Sequence, residues 1–153
     1  MIKFFSMLVL LLCGTANLYA QSDADLIEST VLWRVELAPD WTPIELAELL
    51  EDETRFEADG NFYKLLTPLA AFGGNVSYVG LLGVELVPGP NVVVEASPAE
   101  IAAYMEDKYG LEFESNVENS AFQADLEQDI KLFITPHPNI VESTIVIGAY
   151  LGL

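Results

Sequence analysis

Two short stretches open in the same way. Thr42-Pro43-Ile44-Glu45 and Ser97-Pro98-Ala99-Glu100 each set a hydroxyl residue before a proline and place a glutamate at the third helical position. That order starts a helix, because the hydroxyl and the carboxylate can take up N–H groups that have no partner in the first turn, and proline lacks the N–H that would be orphaned there. It predicts helices over 43–53, with Ile44, Ala47 and Leu50 turned inward, and over 98–109, stopped by Gly110. The segments around them alternate apolar and polar residues at period two, the mark of half-buried strands. Two helices set among such segments confine the chain to an α+β fold with a mostly antiparallel sheet.

The strands are expected at TVLWRVEL (30–37), on both sides of the Asp59-Gly60 turn in TRFEADGNFYKLL, at 75–87, at NVVVEA (91–96), and at LEFES, AFQADLE, DIKLFITP and TIVIGAYLG. The order strand, helix, strand, strand occurs twice, so we expect one domain over 21–153 built from two strand-helix-strand-strand modules, 29–88 and 89–153. This element order resembles the paired modules of the glyoxalase and vicinal-oxygen-chelate group. The resemblance implies a fold and no activity. Metal enzymes of that group would place His, Gln or Glu ligands inside strands, whereas the one histidine here, His137, stands between Pro136 and Pro138, a setting for a loop.

Residues 1–20 read as a cleaved signal peptide: Lys3, an apolar run from Phe4 to Leu12, then small and polar residues. Cleavage is expected after Ala20, with Ala16 the alternative. Cys13 would leave with the leader, and no small residue precedes it to suggest lipidation. The mature chain would then carry no thiol or disulfide into a periplasmic or secreted setting.

Formal net charge is −18, from 6 Lys and Arg against 24 Asp and Glu, and loss of Lys3 makes it more negative. Such a surface repels nucleic acid and anionic lipid. An apolar fraction of 52% argues against disorder. The partners left are a basic protein or a divalent cation. Alternation places Glu112 and Glu114 on one strand face and Asp125, Glu127 and Asp129 on one face of a later segment. If those faces coincide they form an acidic binding patch, for which calcium is the cofactor to consider although no EF-hand loop is present.

Catalysis has thin support. No serine sits in a nucleophile elbow; Ser77 in GNVSYVG is read as a strand hydroxyl. Zinc held by His and Cys is excluded by composition. A hydrolase built on paired carboxylates would need a buried acid, and Glu36, Glu85 and Glu95 are the candidates. We therefore expect a non-catalytic binding protein and assign no catalytic or metal residue.

The final VIGAYLGL is similar to the C-terminal signature of bacterial outer-membrane barrels through Gly148, Leu151 and Leu153, and that resemblance makes a small outer-membrane β-barrel the alternative. The barrel signature favours a terminal aromatic, and two helices would interrupt the barrel. The ending is expected instead to be an inner strand of a soluble sheet.

Overall fold

The computed structural model describes residues 22–81, 89–127 and 129–152; the expected leader and Glu85 lie outside them. The first helix, α1 (22–31), comes where the sequence suggested a polar start and then a strand. Ala24, Ile27 and Val31 are buried at helical spacing along it.

The end of α1 explains why TVLWRVEL is not a strand. The Arg34 N–H donates to the Ser29 carbonyl (2.8 Å) and the Trp33 N–H to the Thr30 carbonyl (3.0 Å), while Trp33 sits in the left-handed region at φ 58°. This double bond pattern closes a helix and usually recruits glycine at that position. Here a tryptophan holds it, because its indole N–H donates to the Gly148 carbonyl at 2.8 Å. The alternation of Val31, Trp33, Val35 and Leu37 therefore straddles a helix end and a loop, and the strand-helix-strand order does not hold in the first half.

Helix α2 (Ile44–Leu50) buries Leu46 and Leu50, and Pro43 occupies its N-cap with no side-chain cap. Thr42 does not cap; its N–H is taken by the Asp40 carboxylate at 3.2 Å. A hairpin follows, β1 (Phe56–Asp59) and β2 (Phe62–Ala71), joined by Gly60 and Asn61 with Gly60 at φ 64°. The tight turn is where it was expected, one residue later. The next hairpin, from β2 to β3 (Gly74–Gly80), turns through Phe72 (φ 56°) and Gly73 (φ 79°). Both central angles are positive, as in a type I′ hairpin turn between twisted strands.

Strand β4 (Asn91–Glu95) leads into α3 (Pro98–Tyr109), where the sequence reading holds in full. Ser97 and Glu100 form a reciprocal capping box, Pro98 opens the helix, and Gly110 closes it at φ 67°. The chain finishes as a meander of β5 (Glu114–Asn116), β6 (Ala121–Glu127), β7 (Ile130–Pro136) and β8 (Thr144–Tyr150).

All eight strands form one antiparallel sheet in the order β1-β2-β3-β4-β8-β7-β6-β5. The fold is α+β, as expected, with three helices among the described residues rather than two. Strand β4 pairs with both β3 and β8, which carries the sheet through the middle of the chain. The core lies between the helices and one sheet face: Ile27, Leu46, Ile101 and Met105 meet Val92, Val94, Leu132, Ile134 and Val146.

The barrel alternative is corrected by this topology. Among the described residues, strands β1 and β5 are each paired on one side only, so the sheet is open. Strand β8 is paired on both sides, with β4 and β7, which accounts for the apolar VIGAY without lipid. Among the described residues no helix is long and apolar enough to cross a membrane.

At Gly148 the end of α1 lies directly against the sheet. A Cβ there would overlap the Val31 carbonyl oxygen and come within 2.8 Å of the Trp33 ring. Gly148→Ala is expected to lower stability by about 3 kcal/mol, the upper end for overpacking, read as a fall in urea midpoint. A change under about 0.5 kcal/mol, the scatter of neutral surface substitutions, would show that α1 does not close on β8.

Candidate functional site

The five carboxylates singled out in the sequence separate in the structure. Glu114 faces Gln123 across β5 and β6, and the Gln123 side-chain amide donates to it at 2.8 Å. Asp125 faces Lys131 and pairs with it at 2.9 Å. Glu112, Glu114, Asp125 and Lys131 border one shallow depression of about 450 Å³. Glu127 does not join them. The register shifts between Asp125 and Glu127, so Glu127 stands opposite Ile130, and Asp129 lies in the turn before β7 at φ 66°. A bulge resets which side chains share a face, and a single sequence does not announce it. The Asp125 ion pair and hydrogen bond hold Lys131 above its ordinary pKa. Among the described residues no group of three or more His, Cys, Asp or Glu side chains converges to hold a metal.

The acids considered for hydrolysis fare differently. Glu36 and Glu95 are exposed, and Glu85 lies outside the described residues. Ser77 is a strand hydroxyl donating to the Val93 carbonyl at 3.3 Å. His137 is in the β7 to β8 loop, where its Nδ1 accepts the N–H groups of Asn139 (3.1 Å) and Ile140 (2.9 Å).

The buried carboxylate is Glu28 on α1, which the sequence reading passed over. It is 0% exposed. One oxygen accepts the Phe72 N–H at 2.7 Å and the Tyr104 hydroxyl at 2.9 Å. The other accepts the Lys108 ammonium at 2.6 Å and the Tyr109 hydroxyl. Lys108 also reaches Asp25 at 3.2 Å and lies over both tyrosine rings, while Arg34 covers Tyr109. Four donors fill a carboxylate's main acceptor positions, so its protein partners occupy the sites a substrate would need.

Burial pushes the Glu28 carboxyl up, but the bonds from Lys108, Tyr109, the Phe72 N–H and Tyr104 outweigh it and hold the group below the ordinary glutamate value. Burial, reinforced by the bond to Glu28, pushes Tyr109 up to about 12 and also raises Tyr104. The signal that could have found Glu28 is its place on the apolar face of α1, between Ile27 and Val31 and four residues from Ala24.

A second cluster joins the loop after α1 to the end of β8. Trp41 (φ 70°) stacks on Tyr150 with ring centres 5.3 Å apart, and Trp33 meets Trp41 edge-on at 5.9 Å. Trp41 remains 58% exposed.

A further run of exposed acids lies elsewhere, over α2 and β1. Glu45, Glu48, Glu51, Glu53, Glu57 and Asp59 are all exposed. The one cation in that stretch, Arg55, is turned away to pair with Asp23 of α1. No protein-family model matches the chain, and no curated protein or solved structure compared with it matches either.

Removing the Glu28 charge tests whether this network anchors α1. Glu28→Gln replaces one acceptor oxygen by a donor facing groups that themselves donate, and is expected to cost about 3 kcal/mol, as when one partner of a buried pair is lost. Because the folded pKa of Glu28 is depressed, its contribution is full above the unfolded value near 4.5 and fades as pH falls through the folded value. The gap in urea midpoint between wild type and Glu28→Gln should narrow as pH is lowered below about 4.5. A gap that stays constant would assign the loss to packing alone.

Proposed function

We propose that this chain is an exported, non-catalytic binding protein whose acidic surface engages a basic protein partner in the periplasm or outside the cell. The observation that carries this reading is where the positive charge goes. Arg55, Lys108 and Lys131 are committed to Asp23, to Asp25 and Glu28, and to Asp125. Three of the five described lysines and arginines are thus used internally, Arg34 and Lys64 remaining exposed, and the carboxylates of α2 and β1 far outnumber Lys64, which stands opposite Glu57. A one-sign surface of this kind raises the association rate of an oppositely charged partner.

A basic protein fits better than a divalent ion. The carboxylates at the β5 and β6 edge already have partners in Gln123 and Lys131, and a divalent ion would require several of them to be released together.

The test is binding to poly-L-lysine, followed by fluorescence anisotropy. Raising salt from about 20 to 300 mM should weaken it by roughly a hundredfold or more, since exposed charges are screened beyond about 8 Å near physiological ionic strength. Affinity independent of salt, or no binding at the lowest salt, would contradict an electrostatic partner.

A further inference from the structure

The densest acidic stretch borders a groove. Between the C-terminal end of α2 and the edge strand β1 lies a depression of about 690 Å³. Its floor is apolar, with Phe56 buried, Tyr63 half-buried and Leu66 49% exposed. Its rim carries Glu51, Glu53 and Glu57, all exposed. The helix-facing side of the sheet simply runs out past the end of α2: Ala58 and Tyr63 are opposite each other on that side, and Ala58 is exposed.

The groove also opens onto unused backbone. Asp59 and Phe62 close a two-residue turn, so they exchange hydrogen bonds, and by alternation Ala58 does not bond to β2. Its N–H and C=O point away from the sheet at an edge that, among the described residues, pairs with no further strand. An open edge accepts an extended chain unless charge forbids it. Here the outward charges of β1 itself, Glu57 and Asp59, are both negative, with the exposed Lys64 of β2 opposite Glu57. A second copy of β1 would set carboxylates against carboxylates, whereas a basic strand would meet them with opposite sign. The other edge, β5, is only three residues long, and its Glu114 is engaged by Gln123.

Resting on the proposed function, we infer that the α2 and β1 groove is where the partner docks, as an extended basic segment that adds to β1, pairs its lysines or arginines with Glu51, Glu53 and Glu57, and lays an apolar side chain on Tyr63 and Leu66.

The probe is an eight-residue peptide of alternating lysine and leucine, with octalysine as its comparison, titrated against the full chain at low salt. The alternating peptide should bind more tightly than octalysine. Glu53→Lys with Glu57→Lys should weaken it by about tenfold or more, while Glu106→Lys with Glu118→Lys, an equal change of net charge elsewhere, should weaken it by less than about threefold, the size expected of long-range attraction alone. Ala58→Pro, which removes only the outward N–H of an edge strand, should weaken it severalfold without shifting Tm by more than a few degrees.

Equal losses from the two charge reversals, or octalysine binding as tightly as the alternating peptide, would overturn the groove and leave the acidic-surface reading standing. Failure of both peptides to bind at low salt would overturn the reading and the groove together.

Discussion

One buried carboxylate holds the N-terminal helix to the rest of the molecule. Glu28 gathers an amide from the β2 to β3 turn and two hydroxyls and an ammonium from α3. These groups come from elements far apart in the chain, and only a docked α1 brings an acceptor to all of them. Losing the acceptor would strand several donors at once, which is why such networks are costly to break even when assembling them yields little net stability. The turn it reaches is itself under tension. Phe72 is fully buried at φ 56°, in a region that bulky residues avoid at a cost of about 1–2 kcal/mol. The bond from its N–H to Glu28 helps to offset that cost.

The second attachment of α1 works through shape. Trp33 ends the helix in a left-handed conformation, and its indole reaches the Gly148 carbonyl on β8. Gly148 has no side chain to obstruct the approach. Asp23 adds a third tie, to Arg55 in the loop before β1. The same residues that dock α1 therefore use up cations the surface would otherwise show, and stability and surface charge are set by one arrangement. What remains outside is a strip of carboxylates on α2 and β1 beside an apolar groove and an open strand edge.

Where local chemistry decides the conformation, the sequence was a good guide. Ser97, Pro98, Glu100 and Gly110 delimit α3 to the residue, and the glycine turn before Phe62 marks a real hairpin. The inner position of the last strand also followed from its uncharged VIGAY. Where distant contacts decide, the sequence misled. Val31, Trp33, Val35 and Leu37 alternate as a strand would, but Trp33 is fixed by Gly148, more than a hundred residues away. Thr42 has the right chemistry for a cap and instead gives its N–H to Asp40. The carboxylate patch failed in part for a similar reason, because a bulge after Asp125 moves Glu127 out of the shared face. Glu28 was hidden among other acids near the expected mature start, and its place beside Ala24, Ile27 and Val31 becomes a signal only once 22–31 is read as a helix. The groove was illegible too, since it depends on how far α2 extends over β1.

Amide hydrogen exchange under native conditions, resolved along α1 and at the Phe72 N–H, tests the anchoring most directly. With Glu28 as the anchor, the amides near Ile27, Glu28 and Val31 and the amide of Phe72 should be protected to within about tenfold of the central β4 and β8 amides, because α1 can then leave only when much of the core opens. Exchange in α1 and at Phe72 faster than in β4 and β8 by a thousandfold or more, roughly 4 kcal/mol of local opening, would mean that the helix detaches alone and that the Glu28 network does not hold the fold together.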